Sequence, residues 1–275
     1  MNSKTTEAAL DYMHIGASRA ASSWLWRNLK PHPEIRNPTG GDDVPKDKNV
    51  RFWNQDVEIA RGRIGKGKPL RWYKEQYRRV PGQINVDMTD SNSWIPKERI
   101  QQISENFPDV KISYCIRNPI DTMWSHLYLR VSKFPNIDFM KEAATIREVG
   151  RSKYNKKKPI NIPWRPNVAY QQNYENWSKY FDVYCFLFDD VIVNPKKIFQ
   201  SIADMTNIDN TFWDDREDLI SLKQNASKGK PKMFKEFGEI LLEELDDEIT
   251  FIEEYFDRDF SHWRDIEYYD TQNLK

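Results

Sequence analysis

Residues 12–29, YMHIGASRAASSWLWRNL, place an apolar run, a turn of small residues and an amphipathic stretch end to end, and this order recurs along the chain. The first strand is read at 12–15, the turn at 16–22, and a helix from Ser23 with Trp24, Leu25 and Leu29 on one face. Lys30-Pro31-His32-Pro33 stops that helix, because proline removes an amide donor and clashes with the preceding turn. Further strands are expected at 83–88, 110–116 and 183–188. Helices follow them from Pro96 to about Ile103, at 122–131 and at 195–205. Strands that alternate with helices pair in parallel and are covered on both faces, so the chain is read as an α/β fold. Residues 234–263, acidic and apolar at helical spacing, are expected to pack as a terminal helix.

Composition narrows the partners. Lys plus Arg and Asp plus Glu both total 42 in 275 residues, so no global charge excess points to nucleic acid or an anionic membrane. A single domain across 1–275 is expected. With no signal-peptide core and no apolar run of about 20 residues, the chain reads as cytoplasmic. Cys115 and Cys185 lie in apolar runs and read as thiols, with a disulfide the lesser reading. The four histidines and two cysteines show no metal-ligand spacing.

The turn at 16–22 carries the first chemistry. A strand that ends in a glycine turn and feeds a helix presents backbone amides at the positive end of the helix dipole, which suits phosphate. Small side chains at Ser18, Ala20 and Ala21 let an anion approach. Ser22 and Ser23 offer hydroxyls, and Arg19 adds a permanent charge. Packing alone also produces such turns. A nucleotide triphosphatase or kinase P-loop wants a second glycine, then Lys, then Ser or Thr. Ala21 and Ser22 stand in those places, which weighs against triphosphate chemistry. A second strand-to-helix junction, KISYCIRNPIDTMWSHLYLR, brings Arg117 to a strand end, where it can fork onto a phosphate or pair with a carboxylate.

Together these segments resemble the PAPS-dependent sulfotransferase family. HIGASRAASSWLWRNLKPHPEI is similar to its first cofactor loop, with Arg19 where lysine is common and Ala21 where glycine is usual; Ser18 through Trp24 would line the donor. The R-N-P junction is similar to its second motif, which implies that Arg117 and Ser125 contact the 3'-phosphate. NASKGKP resembles a late loop, making Asn225, Lys228, Gly229 and Lys230 candidate ligands. VYCFLFDDVIVNPKKIF resembles a later strand, with Asp189 where glutamate is common. The resemblance implies a three-layer sandwich around a parallel sheet, akin to P-loop nucleotide kinases, with variable acceptor-side loops near 38–80 and 132–168. It implies PAPS as donor, PAP as product, and a hydroxyl or amine of a small molecule or saccharide as acceptor. A nucleotide kinase and a noncatalytic anion-binding module are the alternative readings.

Sulfuryl transfer needs an in-line nucleophile and a stabilised leaving phosphate. Arg19 is assigned to the growing charge on the leaving group. DKNVRFW, at 47–53, resembles the K-E-x-H-F-F segment of glycan sulfotransferases and tilts the acceptor toward a glycan. There Lys48 stands to assist at the sulfate, but Asn49 replaces the glutamate expected as base. Asp87, at the end of the second strand read here, is the leading substitute because carboxyl ends of parallel strands face the site, with Asp90 and Asp47 also open. The four histidines read as structural. The basic stretches at 62–74 and 151–158 read as surface loops, either solvated or docking an anionic acceptor, and Trp53, Trp72, Tyr73, Trp94 and Trp164 lie in or near variable loops as core or sugar-facing rings.

Overall fold

A computed structural model describes residues 8–36, 48–60, 62, 65–133, 165–216 and 232–272. In chain order its main elements are β1 (Tyr12–His14), α1 (Ser22–Leu29), β2 (Ile35–Arg36), α2 (Gln55–Ala60), α3 (Leu70–Gln76), β3 (Ile84–Asp87), α4 (Lys97–Asn106), β4 (Lys111–Ile116), α5 (Pro119–Lys133), α6 (Arg165–Val168), α7 (Tyr170–Ser178), β5 (Val183–Leu187), α8 (Phe188–Val193), α9 (Pro195–Thr206), β6 (Met233–Phe234), α10 (Lys235–Phe256) and β7 (Thr271–Gln272). Where the sequence reading has one domain, internal contacts group the described residues into two compact units, one drawn from 1–116 and 174–225, the other from 117–173 and 226–275.

The first unit holds a five-stranded, all-parallel sheet in the order β2-β3-β1-β4-β5, flanked by helices. β1 lies at its centre, with Met13 level with Asp87 of β3 and His14 level with Ser113 of β4. Tyr12, Met13 and His14 are all fully buried, as a central strand covered on both faces requires. α1 buries Trp24, Leu25 and Leu29, the face read from the sequence. Asn194 caps α9 by accepting from the Lys197 amide, and Pro195 fills the first helical position, where its missing donor costs nothing.

One loop expectation is corrected here. Residues 70–74 of the basic stretch at 62–74 belong to α3, and Tyr73 is wholly buried among Phe52, Trp53, Tyr77 and Phe107. The basic residues hid the helix because its apolar anchor spans only one turn, Tyr73 to Tyr77. Trp53 is also a core ring. The stretch at 151–158 and Trp164 lie outside the described residues. The two cysteines are not joined: Cys185 is level with Tyr114, so it faces the opposite side of the sheet from Cys115.

The second unit is built on α10, 22 residues long, whose Phe237, Leu241, Leu245, Ile249 and Ile252 form one buried stripe. Arg264 ties the end of the chain back to it, donating to Asp246 at 2.5 Å and Glu253 at 2.8 Å. Among the described residues, no helix is long and apolar enough to cross a membrane.

Candidate functional site

In the first unit, β1–β4 pairing continues past His14: the Ala17 amide donates to the Cys115 carbonyl and the Cys115 amide to the Gly16 carbonyl. The chain then turns through Arg19 and Ala21, both in the left-handed region, φ 70° and φ 58°. Ala21 is the N-cap of α1 and, having no side-chain oxygen, gives the first-turn amides no side-chain cap. That left-handed N-cap gives the reason a glycine is favoured there, since a Cβ in this region costs about 1–2 kcal/mol. Gly16 is needed on two counts. Its φ is 133°, and a Cβ on it would stand 2.4 Å from the Asp90 carbonyl oxygen.

That close approach brings the β3–α4 connection against the turn. Ser22 Oγ donates to Asp90 Oδ2 at 3.0 Å, and Lys48 Nζ donates to the same carboxylate at 3.0 Å and to Ser22 Oγ at 2.5 Å. Burial pushes the Asp90 carboxyl up, but the Lys48 charge and donors from Lys48, Ser22 and Ser18 outweigh it and hold the group below the usual range. The result is an ionised carboxylate and an ammonium side by side on the turn, Lys48 only 8% exposed and Asp90 23%. His14 lies beneath them. Burial, then the Lys48 charge, lowers it to about 3, so its imidazole is neutral at pH 7. Nδ1 meets Ser113 Oγ at 2.9 Å, which fits the structural role read for it.

Two sequence assignments change. Asp87 is 1% exposed and lies under the aromatic cluster, with Oδ2 accepting from the Tyr73 hydroxyl at 2.7 Å and Oδ1 from the Thr89 amide at 2.9 Å. Burial raises its pKa despite these donors. It is a core carboxylate, closed to any acceptor. The strand end was the right place, but the side chain there turns into the sheet's aromatic layer. The carboxylate that reaches the turn is Asp90, three residues on. Asn49, where a glutamate was expected, accepts from the Asp90 amide at 3.4 Å, so the vacant carboxylate position abuts the occupied one. Trp24 is likewise a core ring, 5.0 Å from Phe199, and only its backbone remains for a ligand. His32 is structural as read: it accepts from the Glu34 amide through Nδ1 and so donates through Nε2 to the Asp209 carbonyl.

In the second unit the R-N-P junction has a plain local logic. Asn118 Oδ1 accepts from the Ile120 and Asp121 amides, capping α5, and Pro119 opens the helix. Asn118 Nδ2 also donates to the Tyr269 hydroxyl at 3.0 Å. Arg117 lies 3.6 Å from Asp121, one of the two partner classes expected of it. Ser125 is one helical turn beyond Asp121 on the same face, and largely buried. Asn225, Lys228, Gly229, Lys230 and Asp47 lie outside the described residues. Among the described residues, no cluster of His, Cys, Asp or Glu has the makings of a metal site.

The turn carries backbone amides and the permanent charge of Arg19, and the Lys48 ammonium and Asp90 carboxylate meet it at Ser22. That set can hold an anion, stabilise a leaving oxyanion and take a proton. The chain is 25% identical over 230 residues to heparan sulfate glucosamine 3-O-sulfotransferase 6 of Homo sapiens, and equally to that of Mus musculus. The aligned stretch covers 82% of this chain and 58% of each relative, so the chain spans little more than half their length. A solved sulfotransferase from Alicyclobacillus acidocaldarius superposes with a TM-score of 0.69 at 18% identity, over 94% of this chain and all of that one. No family model matches the chain.

Proposed function

Because this chain has the sulfotransferase fold, we propose that it moves the sulfuryl group of PAPS to a hydroxyl of a glycan, releasing PAP. The observation that carries the reading is the Lys48–Ser22–Asp90 cluster on the turn that opens α1. The acceptor oxygen bonds to sulfur as the bond from sulfur to the bridging phosphate oxygen breaks. Arg19 and the amides of residues 20–23 take the charge that grows on the departing PAP, Lys48 steadies the sulfonate oxygens, and Asp90 receives the acceptor proton. Ser18, Ser22 and Ser23 supply hydroxyls to the donor. Arg117 and Ser125, with Asn225, Lys228, Gly229 and Lys230, keep the 3'-phosphate role that the resemblance gives them. The curated relatives are named for heparan sulfate glucosamine, which supports a glycan acceptor.

A nucleotide kinase is not favoured, since the lysine on the turn comes from position 48 and not from within the loop. Thermal unfolding with PAP and with ATP tests the donor reading. At a hundred times its dissociation constant PAP is expected to add about 2.7 kcal/mol, and ATP much less. Stabilisation by ATP alone would overturn the reading, and PAP binding without sulfate transfer would leave a noncatalytic module.

A further inference from the structure

In the second unit, the segment that follows α10 reaches the R-N-P junction through the side chain of Tyr269. This residue is buried, and its hydroxyl stands 2.6 Å from the Trp263 carbonyl and 3.0 Å from Asn118 Nδ2. A carbonyl can only accept, so the hydroxyl gives its one proton to Trp263 and takes Asn118 as donor. Burial pushes the hydroxyl's pKa up, which keeps that proton in place. The bond also fixes Asn118: Nδ2 is held by Tyr269, and Oδ1 is left for the Ile120 and Asp121 amides at 2.9 and 3.3 Å. The hydroxyl is itself well held. Trp263 stacks on Phe260 with ring centres 4.1 Å apart, and β7 pairs with β6, the Met233 amide donating to the Asp270 carbonyl at 3.0 Å. Gly238 admits the segment to α10, since a Cβ there would stand 2.6 Å from Ile266 Cδ1. β6 and α10 in turn set Phe234 and Phe237 against Trp124, their ring centres 6.1 and 5.9 Å from it. α5 is therefore braced at its cap, next to Arg117, and again next to Ser125.

We infer that Tyr269 is a positioning residue for the donor's 3'-phosphate: it fixes Asn118, and through Asn118 the start of α5, where Arg117 and Ser125 are to meet that group. Packing alone does not require the hydroxyl, because a phenyl ring at 269 would fill the same space. A hydroxyl whose proton is already committed to Trp263 adds something a phenyl ring lacks, a lone pair that accepts from one amide in one orientation. Without it, Asn118 Nδ2 becomes a buried donor with its acceptor gone, and the side chain that caps α5 must turn to find another. The inference rests on the PAPS reading above and deepens it: preference for a 3'-phosphorylated nucleotide is set by a residue 151 positions away from the junction it orients.

Calorimetric titration with PAP and with adenosine 5'-phosphate, which lacks the 3'-phosphate, tests it. Tyr269→Phe is expected to weaken PAP binding about five- to tenfold while affinity for adenosine 5'-phosphate changes less than about twofold. Asn118→Ser, which keeps an oxygen to cap α5 but loses the donor to Tyr269, approaches the same bond from its other side and is expected to give the same selective loss. In an Arg117→Ala background, Tyr269→Phe should cost PAP binding little more, since the hydroxyl acts through that junction. A merely structural tyrosine would lower the unfolding temperature and leave the ratio of the two affinities where it was. That result, or equal weakening of both nucleotides, overturns the inference while the PAPS reading stands. A folded wild type with no preference for PAP over adenosine 5'-phosphate overturns the PAPS reading, and the inference with it.

Discussion

The ammonium of Lys48 lies 3.0 Å from the carboxylate of Asp90, 42 positions later in the chain, and both also meet Ser22. Removing either partner leaves the other partly buried and uncompensated. Asp90→Asn and Lys48→Met are each expected to lose about 1–3 kcal/mol, and the double variant less than their sum. Urea unfolding of the four proteins checks this; strictly additive losses would show that the pair is not coupled.

The two small residues of the turn behave oppositely. Gly16→Ala forces a Cβ to within 2.4 Å of the Asp90 carbonyl at a φ of 133°, and is expected to cost at least about 2 kcal/mol. Ala21 already pays for a left-handed φ of 58°, so Ala21→Gly is expected to gain about 0.5–1 kcal/mol. Melting temperatures of the two variants should move in opposite directions.

His14 makes stability depend on pH. Its pKa falls from an ordinary 6.5 to about 3 in the folded chain, so below pH 6.5 the unfolded chain binds a proton that the folded chain refuses. Stability is therefore full above 6.5 and is lost as pH falls, at up to about 1.4 kcal/mol per pH unit from this group. Urea midpoints of the wild type and His14→Asn between pH 7.5 and 4.5 should converge as pH drops; parallel curves would contradict the assignment.

The two aspartates separate chemistry from folding. Asp90→Asn is expected to lower sulfate transfer about a hundredfold or more with PAP binding retained. Asp87→Asn, which disturbs the Tyr73 and Thr89 bonds, is expected to lower the unfolding temperature while transfer per folded molecule stays near wild type. Reversed outcomes would return the base role to Asp87.

Much of the sheet was legible in the sequence. β1, β4 and β5 announce themselves as apolar runs closed by turn residues, and their order with intervening helices implies parallel pairing. β2, two residues long, carries no such pattern, and α3 was masked by the lysines and arginines around Tyr73. The strand–turn–helix unit at 12–29 was legible because an apolar run, a turn of small residues and an amphipathic stretch follow one another there. What the sequence did not reveal is where Asp87 and Asp90 point. That depends on the aromatic layer under β3 and on how Asp90's backbone seats against Gly16, both of which are long-range packing. Lys48 was visible only through resemblance, since nothing local to it foretells a bond to Ser22.

The most direct test of the account is the rate at which label passes from sulfur-labelled PAPS to a heparan-type oligosaccharide, compared between the wild type and Arg19→Ala. Loss of a charged donor to the leaving group is expected to slow transfer about a hundredfold while the unfolding temperature stays unchanged. Equal rates in the two proteins, or no transfer by a folded wild type that binds PAP, would contradict it.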